Sequence, residues 1–140
     1  MKIASSGLIS LACLLGAAAV PAVQASETPH LARSLTTSGA SLQAGKRVPQ
    51  QRFGQHDFVV QLSDFDWEAV GESAGEHRVE WRWYQGDKLV SQTDKKLNFN
   101  STPYTLWTRR AAATLGSGHF KVEAVIDGEV AAVSEFDIAP

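Results

Sequence analysis

The residues able to do chemistry are few and scattered. His30, His56, His77 and His119 show no His-x-His or His-x-x-x-His spacing, so a zinc or copper site would need distant parts of the chain to converge. Gly116-Ser117-Gly118-His119 sets a hydroxyl beside an imidazole, but an activated serine belongs on a Gly-x-Ser-x-Gly elbow between strand and helix. Small residues between two apolar rows read instead as a turn. Asp64, Asp66, Glu68, Glu72 and Glu76 crowd one stretch. Asp-x-Asp-x-Glu offers calcium about three oxygens where six to eight are needed, and the glycine and distal glutamate of the usual loop are missing. A solvated acidic loop is expected. Paired carboxylates for glycoside cleavage cannot be chosen from scattered acids, and no phosphate cradle or dinucleotide fingerprint occurs. The expectation is a chain with no catalytic residues, no metal site and no cofactor, hence not an enzyme.

Side chains suited to recognition are easier to find. Trp67 lies in Asp64-Phe65-Asp66-Trp67-Glu68, between two strand-like stretches, where an indole either anchors a partner or folds back as a lid over the core. Tyr84 and Arg82 fall on one face of a strand and form an exposed patch, unless they are engaged in cross-strand pairs. Arg109-Arg110 is a compact basic feature; on a strand the two point oppositely, so only one can meet an anionic partner. Trp67, Tyr84, Arg82 and Arg109 are therefore the candidate partner-binding residues. Trp107 joins Trp67 and Tyr84 as an aromatic that could stack on a sugar.

These residues must be positioned by strands. Val79, Trp81 and Trp83 alternate with Arg78, Glu80 and Arg82, the pattern of a half-buried strand, and it predicts both indoles inside. Phe58, Val60 and Leu62 alternate with Asp57, Val59 and Gln61. Gly86-Asp87 predicts a hairpin turn. Leu97 and Phe99 alternate with polar neighbours, and Tyr104 to Thr108 is rich in β-favouring types. Phe120, Val122, Ala124 and Ile126 form an inward row, as do Phe136 and Ile138. Asp127-Gly128 is the signal of a type I′ turn. The one helical candidate, Arg109 to Ala113, is too short to stand alone. The expected fold is all-β: an immunoglobulin-like sandwich of six or seven short antiparallel strands.

Ahead of this lies a leader. Lys2 precedes an apolar run from Leu8 to Val20, and Val23-Gln24-Ala25 sets small residues for a cut before Ser26. The run is shorter than the roughly 20 residues a membrane-spanning helix needs. The expected division is a signal peptide over 1–25, a flexible segment over 26–52 containing one weak strand near Leu31 to Thr37, and the sandwich over 53–140. Cys13 leaves with the leader unless it is lipidated, which Ser10 at a position suited to a large aliphatic argues against. The mature chain then has no disulfide, as suits a protein that is periplasmic or secreted by a bacterium. Without Lys2 it carries 12 Lys and Arg against 15 Asp and Glu, from totals of 13 and 15. No basic field exists to hold a nucleic acid, and no membrane span follows the leader.

From Glu80 to Ile138 the chain resembles a family of exported bacterial β-domains labelled only as a domain of unknown function. The resemblance rests on Trp81-Arg82-Trp83-Tyr84-Gln85-Gly86-Asp87-Lys88, Arg109 and Arg110, Gly118-His119-Phe120-Lys121-Val122-Glu123-Ala124-Val125, Asp127-Gly128 and Phe136-Asp137-Ile138. It implies a sandwich and no catalytic residues. The expected function is a non-enzymatic exported accessory or binding protein with a protein partner. The alternatives are a carbohydrate-binding module working through exposed aromatics, and an inhibitor that inserts the Phe65–Gly75 loop into a secreted hydrolase.

Overall fold

A computed structural model describes residues 28–68 and 72–140. The expected leader, with Cys13, lies outside the described residues. The chain folds as an all-β sandwich. Its strands are β1 (His30–Ser38), β2 (Arg52–Phe53), β3 (Phe58–Asp66), β4 (Gly75–Gln85), β5 (Lys88–Phe99), β6 (Tyr104–Ala111), β7 (Gly118–Ile126) and β8 (Glu129–Ile138). Two one-turn helices, α1 (Gly39–Gln43) and α2 (Ala112–Leu115), interrupt them. One sheet has the order β1-β3-β6 and the other β2-β8-β7-β4-β5. All pairings are antiparallel except the short parallel contact of β2 with β8.

The alternation of β4 has the consequence its sequence predicts. Val79, Trp81 and Trp83 are buried between the sheets, while Arg78 is exposed and Glu80 and Arg82 are half-buried on the outer face. Trp83 packs edge-on to Phe136 at 5.9 Å between ring centres, and Phe136 stacks on Phe120 at 5.5 Å. At the other end Phe99 is the hub, with Tyr104 at 4.6 Å, His77 at 4.9 Å and Trp67 at 6.2 Å. The β7–β8 hairpin turns at Asp127 (φ 51°) and Gly128 (φ 86°), the pair of positive angles that a type I′ turn demands.

Two expectations are revised. The sandwich takes in residues ahead of Phe53: β1 pairs with β3 along its length, and α1 is capped by the Ser38 hydroxyl, which accepts from the Ser41 N–H at 3.1 Å. The Ser, Thr and Gly content of this stretch reflects edge-strand exposure and capping. The helical candidate at Arg109 to Ala113 is mostly strand; Arg109, Arg110 and Ala111 complete β6 and only then does α2 begin. The structure also assigns the faces of β3, which the sequence left open: the row of Phe58, Val60 and Leu62 does not face the opposite sheet. Val59, Gln61, Ser63 and Phe65 face inward, whereas Val60 and Leu62 lie on the outer face, covered with Leu35 by Leu42 of α1. With α1 on one side and the second sheet on the other, β3 is buried on both faces, so alternation alone cannot say which row is the core.

Candidate functional site

Trp107 is the exception among the four indoles. Trp67 and Trp81 are each 4% exposed and Trp83 is fully buried, but Trp107 is 58% exposed. It projects from β6 because its neighbours Leu106 and Thr108 take the inward positions. Opposite it in register on β3 stands Leu62, and Arg109 stands opposite Val60. The apolar floor of Val60 and Leu62, the walls of Phe58 and Trp107, and the flank of α1 enclose an outer groove of about 530 Å³. Arg109 lies with its guanidinium 5.2 Å from the centre of the half-exposed Phe58 ring, held there by the attraction of a cation for an aromatic face. At the rim, Arg47 donates to both oxygens of Asp64, the closer at 2.9 Å, and Thr105 Oγ1 donates to Asp64 at 2.6 Å.

A second groove, about 430 Å³, runs along the open flank of the sandwich between β5 and β6. Every residue from Tyr104 to Arg110 borders it on one side, and Thr93, Lys95 and Leu97 on the other. Arg110 spans the flank: Nη2 donates to Thr93 Oγ1 at 2.6 Å, Nε to Ser91 Oγ at 3.0 Å, and the guanidinium rests 5.6 Å from the Trp83 ring centre. Thr105, Trp107 and Arg109 line both grooves, so Trp107 is the ridge between them.

The four candidates from the sequence are not brought together. Trp67 is buried, and its Nε1 donates to the Glu72 carbonyl at 2.8 Å; it is a lid over the Phe99 cluster and offers no face to a partner. Arg82 and Tyr84 lie on the outer face of the five-stranded sheet, where charges are already matched. Arg82 donates to Glu80 at 2.8 Å, Arg78 to Asp94 at 2.7 Å, and Lys121 sits 4.8 Å from the Tyr84 ring centre. The carboxylates hold Arg82 and Arg78 above the usual guanidinium range. Of the four, only Arg109 borders either of these two grooves. The companions that sequence reasoning missed are Phe58 and Leu62, whose apolar alternation was visible but assigned no face.

His77 is buried, with Nε2 donating to the Ala74 carbonyl at 2.9 Å and Nδ1 lying 2.6 Å from Asp127. Burial pushes the Asp127 carboxyl up, but the bonds from His77 and the Arg78 N–H and the His77 charge together hold it below its ordinary value. His119 is exposed; its bond to Asp137 at 2.8 Å is the main cause raising it above the usual imidazole value. Among the described residues no three His, Cys, Asp or Glu side chains cluster as metal ligands, and no helix is long and apolar enough to cross a membrane.

The four indoles give a direct check of this geometry. Iodide should quench a single component of the tryptophan emission, and Trp107→Ala should remove that component while leaving the rest unquenched. Free quenching that persists in the Trp107→Ala protein would contradict the buried positions of Trp81 and Trp83.

No family model matches the chain, and no curated protein matches it. Among solved structures it is similar to an immunoglobulin-like protein from Pseudomonas aeruginosa, at 6% identity and a TM-score of 0.55, over 82% of this chain and 99% of that one. It also overlaps part of a glycosyl hydrolase family 2 member from Bacteroides cellulosilyticus, at 13% identity and a TM-score of 0.49, over 79% of this chain and 15% of that one. The likeness to the Pseudomonas protein agrees with the sandwich architecture and concerns fold alone.

Proposed function

We propose that this chain is an exported, non-enzymatic binding module of a bacterial envelope, and that it recognises a protein partner at the Trp107 ridge. The observation that carries the reading is the exposure of one large aromatic ring between two grooves, in a molecule that buries its other indoles. Aromatic and arginine side chains beside apolar pockets are the usual anchors of interfaces. Trp107, Phe58 and Arg109 supply both kinds within one patch. The alternative of a carbohydrate ligand draws on the same ridge, since the hydroxyl and charged groups of Thr105, Asp64 and Arg47 stand at its rim. An inhibitor inserting the Phe65–Gly75 loop is poorly supported, because Phe65 and Trp67 are turned into the core.

The test compares wild type with Trp107→Ala against a displayed random-peptide library and a glycan array, using protein recovered from the periplasm of a host expressing the full chain. Peptides enriched by wild type and not by the variant support the reading. Glycan signals with the same dependence favour the alternative. No Trp107-dependent binding on either platform rejects a binding module at this site, and failure to recover a chain beginning at Ser26 rejects the export step.

A further inference from the structure

The strand edges of the sandwich are unequal. The free edge of β1 has a bulge between Leu31 and Arg33, and β2 is two residues long. The outer edge of β5 carries Lys88, Asp94, Lys95 and Lys96, all exposed. Bulges, short length and charge are the devices by which native edges avoid pairing with other chains. β6 differs: it has eight residues, contains no proline, and its register with β3 runs unbroken from Phe58↔Ala111 to Phe65↔Tyr104.

The pairing also says which backbone groups of β6 are open. Just past the strand, the Ala112 N–H donates to the Asp57 carbonyl at 2.9 Å. In an antiparallel ladder, hydrogen-bonded and non-bonded pairs alternate. Arg110, Thr108 and Leu106 therefore bond to β3, and Thr105, Trp107 and Arg109 direct their N–H and C=O groups to the open flank. The Arg109 carbonyl accepts from its neighbour's Arg110 Nη1 at 2.8 Å, as a group without a ladder partner would. The flank groove follows this edge along seven consecutive residues, and its lining includes Lys95, Arg109 and Arg110 with no carboxylate among the described residues. Asp94, adjacent in sequence, is engaged with Arg78 on the other face of the sheet.

We propose that β6 accepts an extended acidic segment of a partner polypeptide as an added strand. The segment bonds its backbone to Thr105, Trp107 and Arg109 and sets the carboxylates of one face against Lys95 and Arg110, which share the side of the flank turned to β5. Main-chain bonds give such an addition its affinity, and side chains on alternate faces give its selectivity. The same cations that deter neutral or basic strands from the edge admit an anionic one. This inference rests on the binding-module reading above and specifies its partner.

The test uses a fluorescein-labelled, end-capped peptide of about ten residues, long enough to span the edge, alternating Thr or Val with Glu or Asp. A twin replaces each acid by Lys. Anisotropy should show the acidic peptide binding at least about tenfold more tightly than its twin. Trp107→Pro deletes one edge N–H without touching the ladder to β3, and should weaken binding at least about tenfold beyond Trp107→Ala, which keeps that N–H. Should the proline variant fail to fold, amide hydrogen exchange on wild type decides: added peptide should slow exchange at Thr105, Trp107 and Arg109 by at least about tenfold.

Equal binding of both peptides, or no binding of the acidic one at about 1 mM, overturns the proposal. So does equal binding by Trp107→Pro and Trp107→Ala, or unchanged exchange at the three amides. A concentration-dependent dimer abolished by Trp107→Pro would assign the edge to a second copy instead. These results leave the broader reading intact as long as Trp107-dependent binding is seen in the library or on the array, and its loss there would be the separate failure.

Discussion

A Trp83→Ala protein should be about 3–5 kcal/mol less stable than wild type, the range for deleting a large aromatic from a close-packed core. Trp83 belongs at the top of that range for three reasons. It is fully buried, so the apolar surface removed from water on folding is that of a whole indole. Its neighbours Phe136, Phe120 and Val122 are held in paired strands and cannot collapse into the gap. It also supports the Arg110 guanidinium that bridges to β5. Urea denaturation should show a lower midpoint with an unchanged slope. Trp83→Phe, which keeps the ring contact with Phe136, should recover more than half of the loss. A loss under about 1 kcal/mol would mean the two sheets are not packed as described.

The second large effect is expected at Asp127. This residue holds a positive φ of 51°, accepts from the Arg78 N–H at 2.9 Å and faces buried His77. Asp127→Ala loses the tolerance of Asp for left-handed backbone, worth about 1–2 kcal/mol. It also leaves a buried ring nitrogen without its partner, worth about 1–3 kcal/mol. Asp127→Asn keeps both the backbone tolerance and an acceptor, so it should lose less than Asp127→Ala. Equal losses would show that the side-chain bonds contribute nothing. The folded-state carboxyl titrates below its ordinary value, so its contribution is complete above about pH 4 and disappears as the pH falls through the folded value. Wild type should therefore lose stability relative to Asp127→Asn as acid is added below that point, with thermal melts at stepped pH as the measurement.

How far the sequence foretold this molecule depended on what each strand has on its two faces. β4 and β8 bury one face and expose the other, so Val79, Trp81 and Trp83, or Phe136 and Ile138, announce themselves by alternation. The Asp127-Gly128 turn was equally legible because the backbone angles it needs are open to few residues. β5 was legible at its two ends, at Lys88-Leu89-Val90 and at Leu97 with Phe99, but the polar edge-strand stretch between them carries no apolar row to join them. The faces of β3 stayed open: Phe58, Val60 and Leu62 form an apolar row that belongs to the outside, where α1 covers part of it and the groove uses the remainder. The site was legible only at Arg109 and, as a stacking ring, at Trp107. Trp67, set among acids between two strands, reads from sequence either as an anchor for a partner or as a lid, and the fold decides for the lid that closes the end of the core.

The polar residues inside the sandwich carry a last consequence. Gln61 Nε2 reaches the Val122 carbonyl and Ser134 Oγ, each at 3.3 Å, and Ser34 Oγ lies 3.3 Å from both Ser63 and Ser134. Greasy layers facing each other could slide past one another by a pleat with little penalty, because methyl groups accept any neighbour. A glutamine and three serines do not, since a shift of one repeat would break the bonds that buried Gln61 and Ser63 make with half-buried Ser34 and Ser134. These four side chains act as a key between the layers, fixing how β3 sits over β7 and β8, and with it where the Trp107 ridge stands relative to β5.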